Sequence, residues 1–183
     1  MIDPLFARVI ALGLGTLLLA AAWHKVAAHA EFAAALHDYR LLPRTLLRPV
    51  ALSLPVVEAT LAAAWLTGGR GALMISSTAA LLSIYAAAIA INLLRGRDRI
   101  ACGCGLGGRG SDDQRLSWWL VIRNLVLAAL AALAAWPTTG RRPGLVDALT
   151  LPCTVLAAAL LHEGVWQLMR NAPLFGARRA VRG

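Results

Sequence analysis

Gly71-Ala-Leu-Met-Ile-Ser-Ser-Thr-Ala-Ala-Leu-Leu-Ser-Ile-Tyr-Ala-Ala-Ala-Ile-Ala-Ile-Asn92-Leu-Leu94 contains no Asp, Glu, Lys or Arg. A helix of about 20 mostly apolar residues crosses the hydrocarbon core of a bilayer. This stretch is longer than that and has no competing strand alternation. It therefore predicts a membrane-spanning helix, and the rest of the chain has to be read with a bilayer as solvent.

Further apolar runs lie on either side. Residues 5–23 and 50–67 precede it, and 118–136 and 145–169 follow. Read together they predict an all-α integral membrane protein with five spans, the second to fifth forming a compact bundle. Residues 1–170 form one transmembrane domain and 171–183 a basic tail. The first run is expected to stay in the protein, because a longer amphipathic segment follows it. Trp23, Trp65, Trp118, Trp119, Trp136 and Trp166 fall near span ends, as an interfacial aromatic belt requires.

Composition agrees. Of the 183 residues 59% are hydrophobic and 15% charged, against about 25% charged in soluble domains. The net charge of +9 could mark a nucleic-acid binder, but the cations sit between the apolar runs and form no stripe. No G-x-G-x-x-G follows a strand pattern, and no G-x-x-x-x-G-K-[ST] occurs. Counting cations orients the chain. Segment 24–49, loop 95–116 and the residues after 169 hold thirteen Lys and Arg. The opposite loops have Arg70, Arg141 and Arg142, with Arg8 near the N-terminus. Positive-inside reasoning puts the N-terminus outside and loop 95–116 at the cytoplasmic face.

Between the first two spans, Phe32, Leu36, Tyr39 and Leu42 approximate one helical face, with Glu31, Asp38 and Arg40 away from it. This predicts an amphipathic helix on the membrane surface, ended by Pro43. His24, His29 and His37 lack metal-ligand spacing on that helix.

Few residues can carry chemistry. Arg99-Ile-Ala-Cys102-Gly103-Cys104-Gly105-Leu106-Gly107-Gly108 holds two of the three cysteines. A disulfide across one intervening residue closes a small ring and needs a bent backbone, which Gly103 permits. Such a strained bond suits exchange better than stapling, and Arg97, Arg99 and Arg109 favour the thiolate. A metal site and an idle pair in a glycine turn are the alternatives; structural zinc needs four ligands, and two are missing nearby. Cys153, inside the fifth run, reads as a small hydrophobe or as a thiol resolving a Cys102–Cys104 disulfide. Ionisable residues inside spans are usually paired and inward-facing. Glu58 and Arg123 have opposite signs, so they are expected to meet, with Asn92, Asn124 and His162 near them. That cluster is either structural glue or a proton or thiolate-stabilising site.

Several pieces, in order, resemble one known family. They are His24-Lys25, then Phe32-Ala-Ala-Ala-Leu36-His-Asp-Tyr39-Arg-Leu41-Leu42-Pro43, then Leu54-Pro55-Val-Val-Glu58. Asn92-Leu-Leu-Arg95-Gly96 follows, leading to Cys102-Gly103-Cys104-Gly105. The order, over residues 5–135, resembles the methylamine utilisation protein MauE family. That family commonly has an acidic residue before the first cysteine and an aromatic one after the second; this chain has Ala101 and Gly105-Leu106.

The resemblance implies a four-helix core like those of DoxX-like and vitamin K epoxide reductase-like proteins, in a bacterial cytoplasmic membrane. It implies support of thiol–disulfide maturation of an envelope protein, such as the disulfide-rich small subunit of methylamine dehydrogenase. A thioredoxin-like, MauD-like partner is also implied. The competing reading is a non-catalytic scaffold or transport factor for the client or that partner. No nucleic-acid partner is expected. No cofactor is evident, and no residue singles out a quinone, although a quinone-linked reaction would fit the exchange reading.

Overall fold

A computed structural model describes residues 3–97 and 116–139, together with Gly144, Thr150, Cys153, Thr154, Leu156, Ala157, Leu160 and Gly164. The chain divides into two compact units, Met1–Gly140 and Arg141–Gly183. In the first, α1 covers Pro4–Ala27, α2 His29–Asp38, α3 Arg44–Leu66, α4 Ala72–Leu94 and α5 Trp118–Leu133. The regular elements among the described residues are helical.

Local chemistry sets the helix ends. The Asp3 carboxylate accepts from the backbone N–H of Leu5 at 2.7 Å, with Pro4 at the first helical position; both are favoured where the first backbone donors lack partners. At the other end of α4, Gly96 has φ +69. Its N–H donates to the Leu93 carbonyl at 3.0 Å and the Arg97 N–H to the Asn92 carbonyl at 2.9 Å. This paired capping needs a left-handed residue, which glycine supplies without steric cost. Asn92-Leu-Leu-Arg95-Gly96 is thus a helix stop.

Helix α3 starts six residues before the apolar run does. Counting hydropathy missed this extension because Arg44 and Arg48 are exposed, while Pro43 sets the start of the helix. Pro49 and Pro55 lie inside it; each removes one backbone bond. Three helices, α1, α3 and α4, are long and apolar enough to cross a membrane, and α5 is a shorter apolar helix. The expected fifth span lies mostly outside the described residues; those that are described from Thr150 to Gly164 are helical.

The core draws on α1, α3, α4 and α5. Leu14 and Leu18 pack with Ala62 and Trp65, Leu82 and Ala131. The first apolar run is therefore part of the core, where the sequence reading assigned the bundle to the second to fifth runs. A Cβ on Gly15 would lie 2.8 Å from Leu66 Cγ and 3.3 Å from the Ala62 carbonyl oxygen, so glycine lets α1 and α3 approach closely. Gly15 faces the end of α3 and Lys25 meets its middle, at Glu58; the two helices run antiparallel.

Trp65 corrects the aromatic belt. It is buried, and its indole N–H donates to the Thr78 hydroxyl at 3.0 Å. A polar partner on α4 holds this ring inside, while Trp23, Trp118 and Trp136 remain exposed. Phe6, Leu19, Val56, Leu73, Ile84 and Leu94 are exposed too. A soluble monomer rarely shows so much contiguous apolar surface; lipid is the solvent that suits it.

Candidate functional site

The most costly residues in the bundle form one group. Lys25 sits in the last turn of α1, Glu58 in the middle of α3 and Tyr85 in the second half of α4. Lys25 Nζ donates to Glu58 Oε1 at 2.7 Å and to Oε2 at 2.8 Å. Tyr85 Oη donates to Glu58 Oε1 at 2.6 Å. Glu58 is 0% exposed and Lys25 2%. The Lys25 ammonium also stands 5.5 Å from the ring centres of both Phe32 and Tyr85, within reach of the attraction between a cation and an aromatic face.

Each partner answers a physical demand of the others. A carboxylate taken out of water must accept strong hydrogen bonds, and here three converge on its two oxygens. An ammonium must keep its charge compensated, which Glu58 does directly and the two rings reinforce. The group ties three helices and α2 to one point.

This arrangement replaces the expected Glu58–Arg123 pair. Glu58 is held by Lys25 and Tyr85, and the buried Arg123 Nε has no hydrogen-bond partner. The reason is reach along the helices: Lys25 lies within α1 and turns inward, where hydropathy counting left it in the loop after the apolar run. Asn92 and Asn124 are buried and donate to the carbonyls four residues back, Ala88 and Leu120, at 3.1 and 2.8 Å. They support their own helices; Asn92 Oδ1 is buried without a partner. His162 lies outside the described residues.

Lys25 and Tyr85 were missed, yet one signal was available. Lys25 is the sole lysine among 18 Lys and Arg. A chain that otherwise uses only arginine, whose guanidinium is planar and forked, has a compact ammonium at this one place.

Beside the triad lies a cavity of about 250 Å³ between α2, α3 and α4. Phe32, Leu36, Leu54, Ile84 and Ile89 line it, and Lys25, Tyr39 and Tyr85 are the polar residues among its described lining. It lies toward the bundle end where α3 begins and α4 stops. At that end Arg97 Nη1 donates to the Asp38 carbonyl at 3.4 Å, linking the residue that follows the α4 cap to the end of α2. Arg40, just past α2, takes φ 48, a conformation non-glycine residues adopt at a cost of about 1–2 kcal/mol.

Cys102 and Cys104 lie outside the described residues. Cys153 is a free, exposed thiol.

The bundle and the triad fall within the stretch by which this chain matches known proteins. The family model "Methylamine utilisation protein MauE" matches residues 3–137. A protein named "Methylamine utilization protein MauE" from Paracoccus denitrificans is 40% identical over 158 residues, covering 86% of this chain and 82% of the relative. Its namesake from Paracoccus versutus is 39% identical over 142 residues, covering 78% and 75%. One from Methylophilus methylotrophus is 33% identical over 161 residues, covering 87% and 84%. No solved structure matches. The chain belongs to the MauE family.

Proposed function

We propose that this MauE-family chain is a multi-pass accessory protein of a bacterial cytoplasmic membrane that serves methylamine utilisation by supporting thiol–disulfide maturation of an envelope protein. Cys102 and Cys104 are the exchanging pair, which requires loop 95–116 to face the envelope side, the reverse of the orientation that cation counting gives. The partners are a thioredoxin-like protein and a disulfide-rich client. In the exchange, a thiolate of one pair attacks the disulfide of the other and forms a mixed disulfide, releasing one thiolate. The second thiol of the attacking pair then displaces the remaining sulfur. One pair is oxidised by two electrons as the other is reduced, so no further reagent is consumed.

One observation carries this reading. The two cysteines of the C-G-C sequence, flanked by arginines, sit on the connection that leaves the glycine cap of α4. Two cysteines one residue apart, bracketed by glycine and flanked by arginine, have the chemistry that exchange with a partner needs. The names of the relatives supply the methylamine context.

The test is trapping. A Cys104→Ser variant, expressed with the partner proteins of a methylamine-utilising host, should accumulate a mixed disulfide through Cys102 that reductant releases. If no adduct forms in that variant or in Cys102→Ser, the scaffold reading replaces exchange.

A further inference from the structure

We propose that the cavity between α2, α3 and α4 is a binding site for a neutral, membrane-dissolved molecule that presents a carbonyl oxygen to Lys25 Nζ. The proposal concerns binding alone, with no bond made or broken, and does not depend on the thiol reading.

Donor counting comes first. An ammonium has three N–H donors, and Glu58 takes two of those on Lys25. The third meets no acceptor among the described residues; its surroundings are the faces of Phe32 and Tyr85 and the cavity that Lys25 lines. A buried donor gains most from an acceptor that arrives already stripped of water.

Charge then selects the ligand. Lys25 and Glu58 compensate each other, so the described residues of the site carry no net charge before anything binds. An anion entering it would bury an excess negative charge beside the Glu58 carboxylate, and a cation would compete with Lys25 for it. A neutral carbonyl accepts the free N–H and disturbs neither. The rest of the described wall is apolar except for Tyr39, with Phe32, Leu36, Leu54 and Ile89 in it, and a site with a few placed polar groups in an apolar wall is the usual form of a small-molecule pocket.

Size and access agree. An apolar cavity of about 150 Å³ accepts benzene, so about 250 Å³ takes one substituted ring, or the ester end of an acyl chain. Ile84 lines the cavity yet is 62% exposed. The lip is therefore part of the apolar surface that faces lipid, and a ligand enters sideways from the bilayer. Two molecules with this chemistry live there: a quinone, through its ring carbonyl, and a phospholipid, through its ester carbonyl.

The experiment measures binding to the full-length protein in detergent by native mass spectrometry, with decylubiquinone in one arm and dioleoylphosphatidylcholine in the other. One of the two should saturate at a single molecule per chain. Ala88→Leu and Leu36→Trp fill the cavity from half-buried positions and should weaken that probe at least tenfold. The neutral double variant Lys25→Met/Glu58→Gln should do the same, while Leu73→Ala, on the exposed surface, should not. A response confined to decylubiquinone identifies a quinone as the occupant, and one confined to the phospholipid identifies a lipid. The Cys102→Ser/Cys104→Ser variant should bind like the parent, which separates this result from the fate of the exchange reading. Only variants that unfold cooperatively are scored, and either cavity-filling change suffices. If neither probe saturates, or if both bind these variants as tightly as the parent, the proposal is overturned.

Discussion

Lys25 and Glu58, 33 positions apart in the chain, meet with both carboxylate oxygens within 2.8 Å of one ammonium and almost no exposure of either side chain. Such a pair gives little net stability compared with apolar packing of the same volume, because desolvation offsets the attraction. What it does strongly is penalise any arrangement that separates its members. It fixes the depth at which α1 stands against α3, and Tyr85 extends that constraint to α4.

Removing one partner leaves a buried charge, so Lys25→Met and Glu58→Gln should each cost about 3–5 kcal/mol. The double variant should lose clearly less than the sum, since contacting residues are coupled. Arg123→Gln combined with Glu58→Gln should be additive. Thermal or denaturant unfolding of the purified proteins in one detergent measures all of these. Additive losses for Lys25 and Glu58 would contradict the pairing.

The close approach at Gly15 makes a second case. Gly15→Val puts carbon where Leu66 Cγ already lies 2.8 Å from the Cβ position, and overpacking of this kind costs about 1–3 kcal/mol. Leu66→Ala in the same chain should recover part of the loss, by vacating that space. No recovery would mean that the helices do not cross at Gly15.

How far the sequence led can be judged from these residues. The charge-free run at 71–94 located α4 almost to the residue, because length and hydropathy alone decide a span. The cap at Gly96, with φ +69, was not singled out in the sequence and comes from the structure. Lys25 and Trp65 were misplaced for a shared reason: both stand near the end of an apolar run, where average behaviour puts cations and indoles at the interface. Which of them turn inward depends on partners on other helices, Glu58 for one and Thr78 for the other. A one-dimensional pattern does not contain those distances. The Glu58–Arg123 expectation failed likewise, since opposite sign says nothing of reach.

Thr78→Val tests one of those partners directly. It removes the acceptor for the Trp65 indole while keeping the side-chain volume, so a buried N–H is left unmade at a cost of about 1–3 kcal/mol. Trp65→Phe in the Thr78→Val background should then cost less than Trp65→Phe alone, because the stranded donor goes with the ring. Equal costs in the two backgrounds would show that the hydrogen bond contributes nothing.

Gly103 is the residue on which the thiol chemistry turns. For Cys102 and Cys104 to join, the chain must bring sulfurs from positions two apart into a small ring, and the residue between them must take up most of the bend. Glycine has the widest choice of backbone angles, whereas valine, branched at Cβ, is stiff and excluded from the left-handed region. Gly103→Val should therefore hinder ring closure. Membrane insertion should be unaffected, because the change lies outside the apolar runs. The measurement is thiol alkylation of the purified protein after equilibration across a series of redox buffers. In the parent, both thiols should disappear together as the buffer becomes oxidising, and at a more oxidising poise than a structural disulfide requires, since strain favours the reduced form. In Gly103→Val the transition should move further in the oxidising direction or vanish. Thiols that stay reduced throughout in the parent, or that oxidise equally well with valine between them, would remove exchange through this pair and leave a scaffold.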